Sequence, residues 1–217
     1  MKRARIVFIF ALTLPVAASA QTVTAGFKGG ISLGWFSGSS WEDYIEFSEQ
    51  YSGISISETP YLSFAGGGYL EMMFLENVGI VTEFSYARLG QSYEYAYYGY
   101  TFEGSFTQDV LQLPVLLKLS TGRRTGVFLS FGPAFNFLLG DFEFEESGAG
   151  VSVSDSVEPD NTTVVAFLIG AGVDVEEGPG KLTVEARYGR NLTDAFDVDP
   201  LDTNAFQAFV GYGVYVW

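Results

Sequence analysis

Carboxylates are the side chains of this sequence whose number and spacing could support chemistry. Asp and Glu account for 26 of the 217 residues, against 11 Lys and Arg. One acidic segment combines Asp194, Asp197, Asp199 and Asp202. Hard divalent cations take carboxylate oxygens as ligands, but this spacing lacks the central glycine of an EF-hand loop. The segment therefore indicates either a cation-binding loop, with the metal unknown, or a solvated acidic surface.

Histidine and cysteine are absent from the sequence. Their absence removes Ser-His-Asp triads, His general bases, thiol nucleophiles and metal sites built on imidazole or thiolate. No glycine motif that would cradle a phosphate occurs, and no pair of acids with matching roles stands out among the 26. We therefore predict that the protein is not an enzyme, has no catalytic residues and needs no cofactor.

Alternation of apolar and polar residues predicts eight β-strands. In the segment from Lys181 to Tyr188, Leu182, Val184 and Ala186 point to one face, and the charged residues point to the other. A period of two is typical of a strand with one apolar and one polar face. The eight predicted strands lie near 23–37, 60–74, 77–90, 104–119, 125–140, 162–175, 180–190 and 204–217.

The connectors between these strands alternate between long and short. The long connectors centre on 38–59, 91–103, 141–161 and 191–203, and the short ones are Leu75–Asn77, Ser120–Arg124 and Glu176–Gly180. Short turns at one end and long loops at the other are typical of an antiparallel barrel in an outer membrane. In hydrocarbon every backbone polar group must be paired, so a sheet there closes on itself. The predicted fold is all-β, an eight-stranded antiparallel up-and-down transmembrane β-barrel.

The first twenty residues are predicted to be a signal peptide. A positive start (Lys2, Arg3 and Arg5) precedes the apolar run Ile6–Leu14 and a small-residue cleavage site that ends at Ala20. The apolar run is too short for a membrane anchor, which needs about 20 residues. The expected domains are residues 1–20, the cleaved signal peptide, and residues 21–217, the barrel. Cleavage would remove three positive charges and change the net charge from −15 to −18.

The polar faces of the predicted strands carry few charges among many small residues, whereas the apolar faces are bulky. Since an eight-stranded barrel has room inside only for side chains, we expect the polar faces to point inward and the apolar faces to meet lipid. Enclosed charges must be paired. We therefore predict one lumenal ion-pair network, which either plugs the barrel or forms a selective conduit. Its members are Lys28, Glu71, Glu83, Lys118, Glu185 and Arg187.

The long connectors carry two further patterns. Three of them, 38–59, 141–161 and 191–203, are acidic and contain no Lys or Arg, which argues against nucleic acid as a partner. The remaining connector is rich in tyrosine, and its alternation predicts that two strands continue as a ribbon around Gly99. Such tyrosines form either an aromatic belt at the membrane interface or an exposed edge that adds a partner strand.

Several segments resemble the outer-membrane β-barrel domain family, near its small OmpA-type and PorT-type members. They are Gly26-Phe-Lys-Gly-Gly30, Leu113-Pro-Val-Leu-Leu-Lys118, Phe131-Gly-Pro-Ala134, Val184-Glu-Ala-Arg-Tyr188 and the final Val210-Gly-Tyr-Gly-Val-Tyr-Val-Trp217. The resemblance implies a bacterial outer-membrane location with lipid as surroundings. It also implies that barrel-insertion machinery reads the last strand, where Trp217 stands in place of the usual Phe.

Two classes of function follow from these patterns. The first is a non-enzymatic, monomeric outer-membrane barrel with a closed polar lumen, whose long acidic extracellular loops serve structural or surface-interaction roles, including contact with an extracellular partner. The alternative is a small-solute channel or uptake porin, which would need a wide charged lumen. A soluble, lipocalin-like binder is a third class, in which the apolar faces would point inward instead.

Overall fold

The computed structural model describes residues 20–37, 54–122, 124–196 and 202–216. Nearly all of the predicted signal peptide lies outside these ranges, as do residues 38–53 of the first long connector, Asp197, Asp199 and Trp217. Among the described residues every regular element is a β-strand. No helix in these ranges has the length and hydropathy needed to cross a membrane.

In the described part of the chain ten strands form one antiparallel sheet, two more than the sequence predicted. The extra strands, β6 and β7, lie within the 141–161 connector, which is therefore not simply a loop. In chain order the strands are β1 (Thr22–Ser37), β2 (Ile56–Met73), β3 (Val78–Tyr97), β4 (Tyr100–Ser120), β5 (Gly126–Leu138), β6 (Phe142–Gly148), β7 (Val151–Val157), β8 (Thr163–Glu177), β9 (Gly180–Asn191) and β10 (Asp202–Tyr215).

Eight of the strands are paired in a closed circuit. Chain neighbours pair from β1 to β5, β5 then pairs with β8, and β8, β9 and β10 follow in order. The circuit is closed because the first strand, β1, pairs with the last, β10, with Gly26 opposite Gly213 and Trp35 opposite Asn204. Closure leaves none of these eight strands with a free edge along the shared length, so their backbone groups there are paired.

Strands β6 and β7 lie outside the circuit. They form a hairpin around Ala149 and Gly150, both of which have positive φ, and β6 pairs with residues 102–107 of β4. Strands β3 and β4 likewise run on to a two-residue turn at Tyr98 and Gly99, as the sequence predicted. Because both turns have two residues with positive φ, they match the right-handed twist of the strands that they join.

The distribution of polar and apolar side chains in the circuit is the reverse of that in a water-soluble protein. Along β10 the exposed side chains include Phe206 and Val210, and the buried ones include Gln207. On β1, Phe27 is 78% exposed, whereas its neighbour Lys28 is buried. Bulky apolar residues thus cover the outer face, whereas the interior holds charged and amide side chains together with apolar ones. Alternation predicted which residues share each face.

Candidate functional site

Charged side chains in the interior form two separate groups. The lower cluster lies near the short connectors and consists of Glu71, Lys118, Asp174 and Lys181. The upper cluster lies farther along the strands and consists of Lys28, Glu83, Glu185 and Arg187. Each cluster contains two cations and two carboxylates, so each is formally neutral.

In the lower cluster both lysines bind both carboxylates. Lys118 Nζ lies 2.7 Å from Glu71 Oε2 and 2.6 Å from Asp174 Oδ2. Lys181 Nζ lies 2.8 Å from the same Asp174 oxygen and also donates to Glu71. Thr183 Oγ1 donates a further hydrogen bond to Asp174 at 2.7 Å. All four charged side chains are at most 4% exposed, so each loses water and gains at least two charged hydrogen bonds.

The upper cluster joins strands from opposite parts of the circuit. Lys28 Nζ on β1 lies 2.6 Å from Glu83 Oε1 on β3 and 3.0 Å from Glu185 Oε2 on β9. The Arg187 guanidinium donates two hydrogen bonds to Glu83, at 2.8 and 2.9 Å, and one to Glu185 at 2.7 Å. Ser130 on β5 donates to the other oxygen of Glu185. Four strands therefore meet through this one cluster.

Aromatic rings complete the environment of the buried cations. Lys28 and Arg187 lie 4.6 and 5.0 Å from the ring centroid of Phe209, and Lys118 lies 4.0 Å from that of Phe128. A cation over an aromatic face is attracted by the ring quadrupole, more strongly where water is excluded. Between the two clusters lies a cavity of only about 20 Å³. The interior at this level is filled by side chains.

An amide layer lies above the upper cluster. Gln207 donates to Gln112, Gln112 donates to Asn136, and Asn136 donates to Asn191, at 3.3 to 3.4 Å. Above this layer an apolar group of Phe36, Phe142, Val164 and Ala195 packs together at the end of the circuit away from the short connectors. The interior thus has four successive levels, of which the lower two are charged, the third is amide and the last is apolar.

The six charged residues selected from the sequence are all buried in this interior. They do not form one network, because Glu71 and Lys118 belong to the lower cluster and the other four to the upper one. Sequence reasoning missed Asp174 and Lys181. Alternation contained the signal for both, since Lys181 shares a face with Glu185, and Asp174 stands between two outward-facing valines.

A second feature is a sheet that extends beyond the end of the circuit. This projecting sheet consists of residues 56–60 of β2, 91–97 of β3, 100–107 of β4, and strands β6 and β7, paired in that order. Its inner face is aromatic: Tyr95 stacks on Phe102 with ring centroids 5.1 Å apart, and Tyr93 stacks on Phe144 at 6.1 Å. Tyr93 and Tyr95 also donate hydrogen bonds to Glu146.

Tyr93 and Tyr95 of the tyrosine ribbon fulfil neither of the roles predicted for it. Its β3 segment pairs with β2 on one side and β4 on the other, so it is not a free edge. Tyr93 and Tyr95 lie on the same side of β3 as buried Gln91 and contact Glu146, which is inconsistent with a belt that faces lipid. At the tip, a hydrogen bond with Tyr98 raises the pKa of the Tyr97 phenol.

The acidic segment after β9 is only partly described. Asp202 forms an ion pair with Arg190, and the backbone carbonyl of Asp194 accepts a hydrogen bond from Asn161. Asp197 and Asp199 lie outside the described residues. Within the described ranges no group of three or more acidic side chains is arranged to hold a metal ion. Cation binding by this loop remains a prediction.

Comparisons with known proteins define the class. The family model "Outer membrane protein beta-barrel domain" matches residues 19–197. The chain therefore belongs to this family, and it is a membrane protein of the bacterial outer membrane. No curated protein matches the chain.

Three solved structures illustrate the range of similar proteins. The attachment invasion locus protein Ail of Yersinia pestis, solved with the heparin analogue sucrose octasulfate, is 11% identical, with a TM-score of 0.38, covering 88% of this chain and 98% of its own. OprG from Pseudomonas aeruginosa is 7% identical, with a TM-score of 0.43, covering 90% and 96%. Neisserial surface protein A is 10% identical, with a TM-score of 0.39, covering 88% and 95%.

Proposed function

We propose that the eight strands of the closed circuit cross the outer membrane as a barrel whose apolar face meets lipid. Support comes from the outward side chains of β3 and β4. Along the outward face of β3, Phe84 and Tyr86 are followed by Arg88, which forms a bidentate ion pair with Asp109 on β4. Farther along the same face lie Ser92 and Glu94. A lipid-facing surface must end where such charges begin. The projecting sheet and the long connectors then lie outside the cell.

The filled interior supports the proposal that this barrel does not let solutes pass. Two neutral clusters, an amide layer and an apolar group occupy successive levels, and the cavity between the clusters is about 20 Å³. Buried charges that are paired hold their positions, because separating them leaves a charge unpaired in a dry environment. The lumen is accordingly a closed polar plug, and the protein is a non-enzymatic surface-interaction barrel.

The external surface supplies the interaction. Residues 54–61, 89–107 and 141–160 contain no Lys or Arg, but they contain Glu94, Glu103 and Glu145 among other acids. We propose that this acidic surface contacts an extracellular partner, that the protein acts as a monomer, and that insertion machinery recognises its last strand. Acidic loops that face outward repel anionic surfaces and attract cationic ones over about 8 Å at physiological ionic strength.

Conductance in a planar bilayer tests the closed lumen. The refolded protein is expected to give no unitary current steps, since the charged levels leave no continuous water path. The comparison is a variant in which Lys28, Glu83, Glu185 and Arg187 are all changed to Ser, which keeps the net charge and leaves the lower cluster in place. Ohmic steps with the unmodified protein would favour the small-solute channel instead.

Thiol labelling on intact cells tests the orientation. Because the chain has no cysteine, a single introduced cysteine is the only labelled site. Ser154→Cys on the exposed strand β7 is expected to react with a membrane-impermeant maleimide. Glu177→Cys, which is also exposed but lies at a short connector, should react only after the outer membrane is permeabilised. The reverse pattern would place the projecting sheet in the periplasm.

A further inference from the structure

Strand β7 is a free edge among the described residues. It pairs with β6 on one side, and no described segment pairs with its other side. All seven of its residues are exposed. Edge strands of natural proteins are commonly protected by Lys, Pro or a covering segment. The sequence Val-Ser-Val-Ser-Asp-Ser-Val contains neither Lys nor Pro.

The hairpin geometry determines which backbone groups of β7 are available. Gly148 and Val151 flank a two-residue turn and so form a hydrogen-bonded pair. Because such pairs alternate along an antiparallel ladder, the N–H and C=O groups of Ser152, Ser154 and Ser156 point away from β6. The Ser156 N–H is taken by the carboxylate of Asp155 at 2.8 Å. Ser152 and Ser154 present the remaining edge groups.

The two faces beside this edge have different chemistry. On the outer face, Glu145 lies opposite Ser154, and Glu94 lies opposite Glu103 two strands farther in. These acids and the serines around them line an open concavity of about 840 Å³. On the inner face, Val151 and Val153 are 62% and 54% exposed and continue the aromatic surface. Asp155 follows on the same face, opposite Phe144. A strand added along residues 151–154 would therefore place alternate residues against acids and against valine.

We propose that β7 binds an extended protein segment that alternates cationic and apolar residues, adding it as the next strand of the projecting sheet. Backbone hydrogen bonds to Ser152 and Ser154 give the pairing, and alternate side chains give the selectivity. A cationic side chain opposite Ser154 extends over this small residue towards Glu145, one strand spacing of about 4.8 Å farther on. A second copy of the chain is disfavoured because its own projecting sheet is acidic.

This inference rests on the proposed surface-interaction role, and it is tested with the full chain in nanodiscs of zwitterionic lipid. The probe is a fluorescent heptapeptide of alternating Lys and Val, and binding is measured by anisotropy. One control peptide carries a backbone N-methyl group on every residue, which keeps the charge and the side chains but removes the N–H donors of the added strand. Another has Glu in place of Lys. Only the Lys-Val peptide is expected to bind, and binding should weaken as salt rises.

Variants separate strand addition from simple charge attraction. Ser154→Pro removes one outward N–H and is tolerated at an edge, so it should weaken binding about tenfold, whereas Ser154→Thr keeps the donor and should bind normally. Changing Glu94, Glu103 and Glu145 together to Gln should also weaken binding about tenfold.

Three results would overturn the proposal: equal binding of the N-methylated peptide, unchanged binding by Ser154→Pro, or no binding at all. Self-association of the protein that Ser154→Pro abolishes would assign the edge to a second copy and would likewise overturn it. Since the nanodisc exposes both ends of the barrel, these results do not depend on the orientation that thiol labelling tests.

Discussion

Replacing Glu83 by Ala is expected to lower the free energy of unfolding by about 3–5 kcal/mol. Glu83 accepts hydrogen bonds from Lys28 and from both terminal nitrogens of Arg187, and its side chain is 1% exposed. Its loss leaves two buried cations with Glu185 alone, so the upper cluster acquires a net positive charge away from water. The measurement is reversible urea unfolding in lipid vesicles, followed by tryptophan fluorescence.

Two further variants define what this result means. Glu176→Ala breaks the exposed pair with Arg124, and it should cost less than about 1 kcal/mol because solvent screens that pair. Combining Glu83→Gln with Lys28→Met removes one charge of each sign and should cost less than Glu83→Ala alone. If Glu83→Ala and Glu176→Ala are equally mild, water reaches the upper cluster and the closed lumen is wrong.

Placing arginine on the lipid-facing surface is expected to destabilise the barrel by about 2–4 kcal/mol. Val184 is the test position, because it points outward from the middle of β9 and is 51% exposed. In water such an exposed position tolerates Arg, but in hydrocarbon the guanidinium loses its hydration. The same urea titration in vesicles measures the change in the free energy of unfolding.

Val153→Arg is the matched control for this effect. Val153 is also a strand residue and is 54% exposed, but it lies on β7 in the projecting sheet. Arginine there should change stability by less than about 0.5 kcal/mol, as for most surface substitutions. Equal losses at the two positions would mean that the outer face of the circuit does not meet lipid.

The sequence predicted face assignment well because alternation is a local property. Leu182 and Val184 point outward and Glu185 and Arg187 inward, as their spacing indicates. The partners of the charges are not local: Lys28 meets Glu83 and Glu185, which are 55 and 157 residues away. Which charges share a level depends on the stagger of the strands, and this explains why one predicted network is two clusters.

Strands β6 and β7 escaped prediction for a different reason. Residues 142–157 are rich in Ser, Glu and Gly, and β7 buries none of its side chains. Such a segment resembles a loop because strand propensity largely reports packing against neighbours. Here the neighbour is the outer part of β4. Its Phe106 lies opposite Phe144 in the strand pairing and stacks on the ring of Phe142. That contact depends on the completed fold.

The upper cluster also has a consequence for how the barrel assembles. Lys28, Glu83 and Arg187 come from β1, β3 and β9, so their pairing requires that all three strands have the correct register at once. A slip of one residue turns the side chains of a strand to the opposite face. The slipped strand would carry its charge into hydrocarbon and leave its former partners unpaired inside. Closure with a wrong register therefore costs free energy at both places. The clusters thus favour the correct register when the strands insert into the membrane.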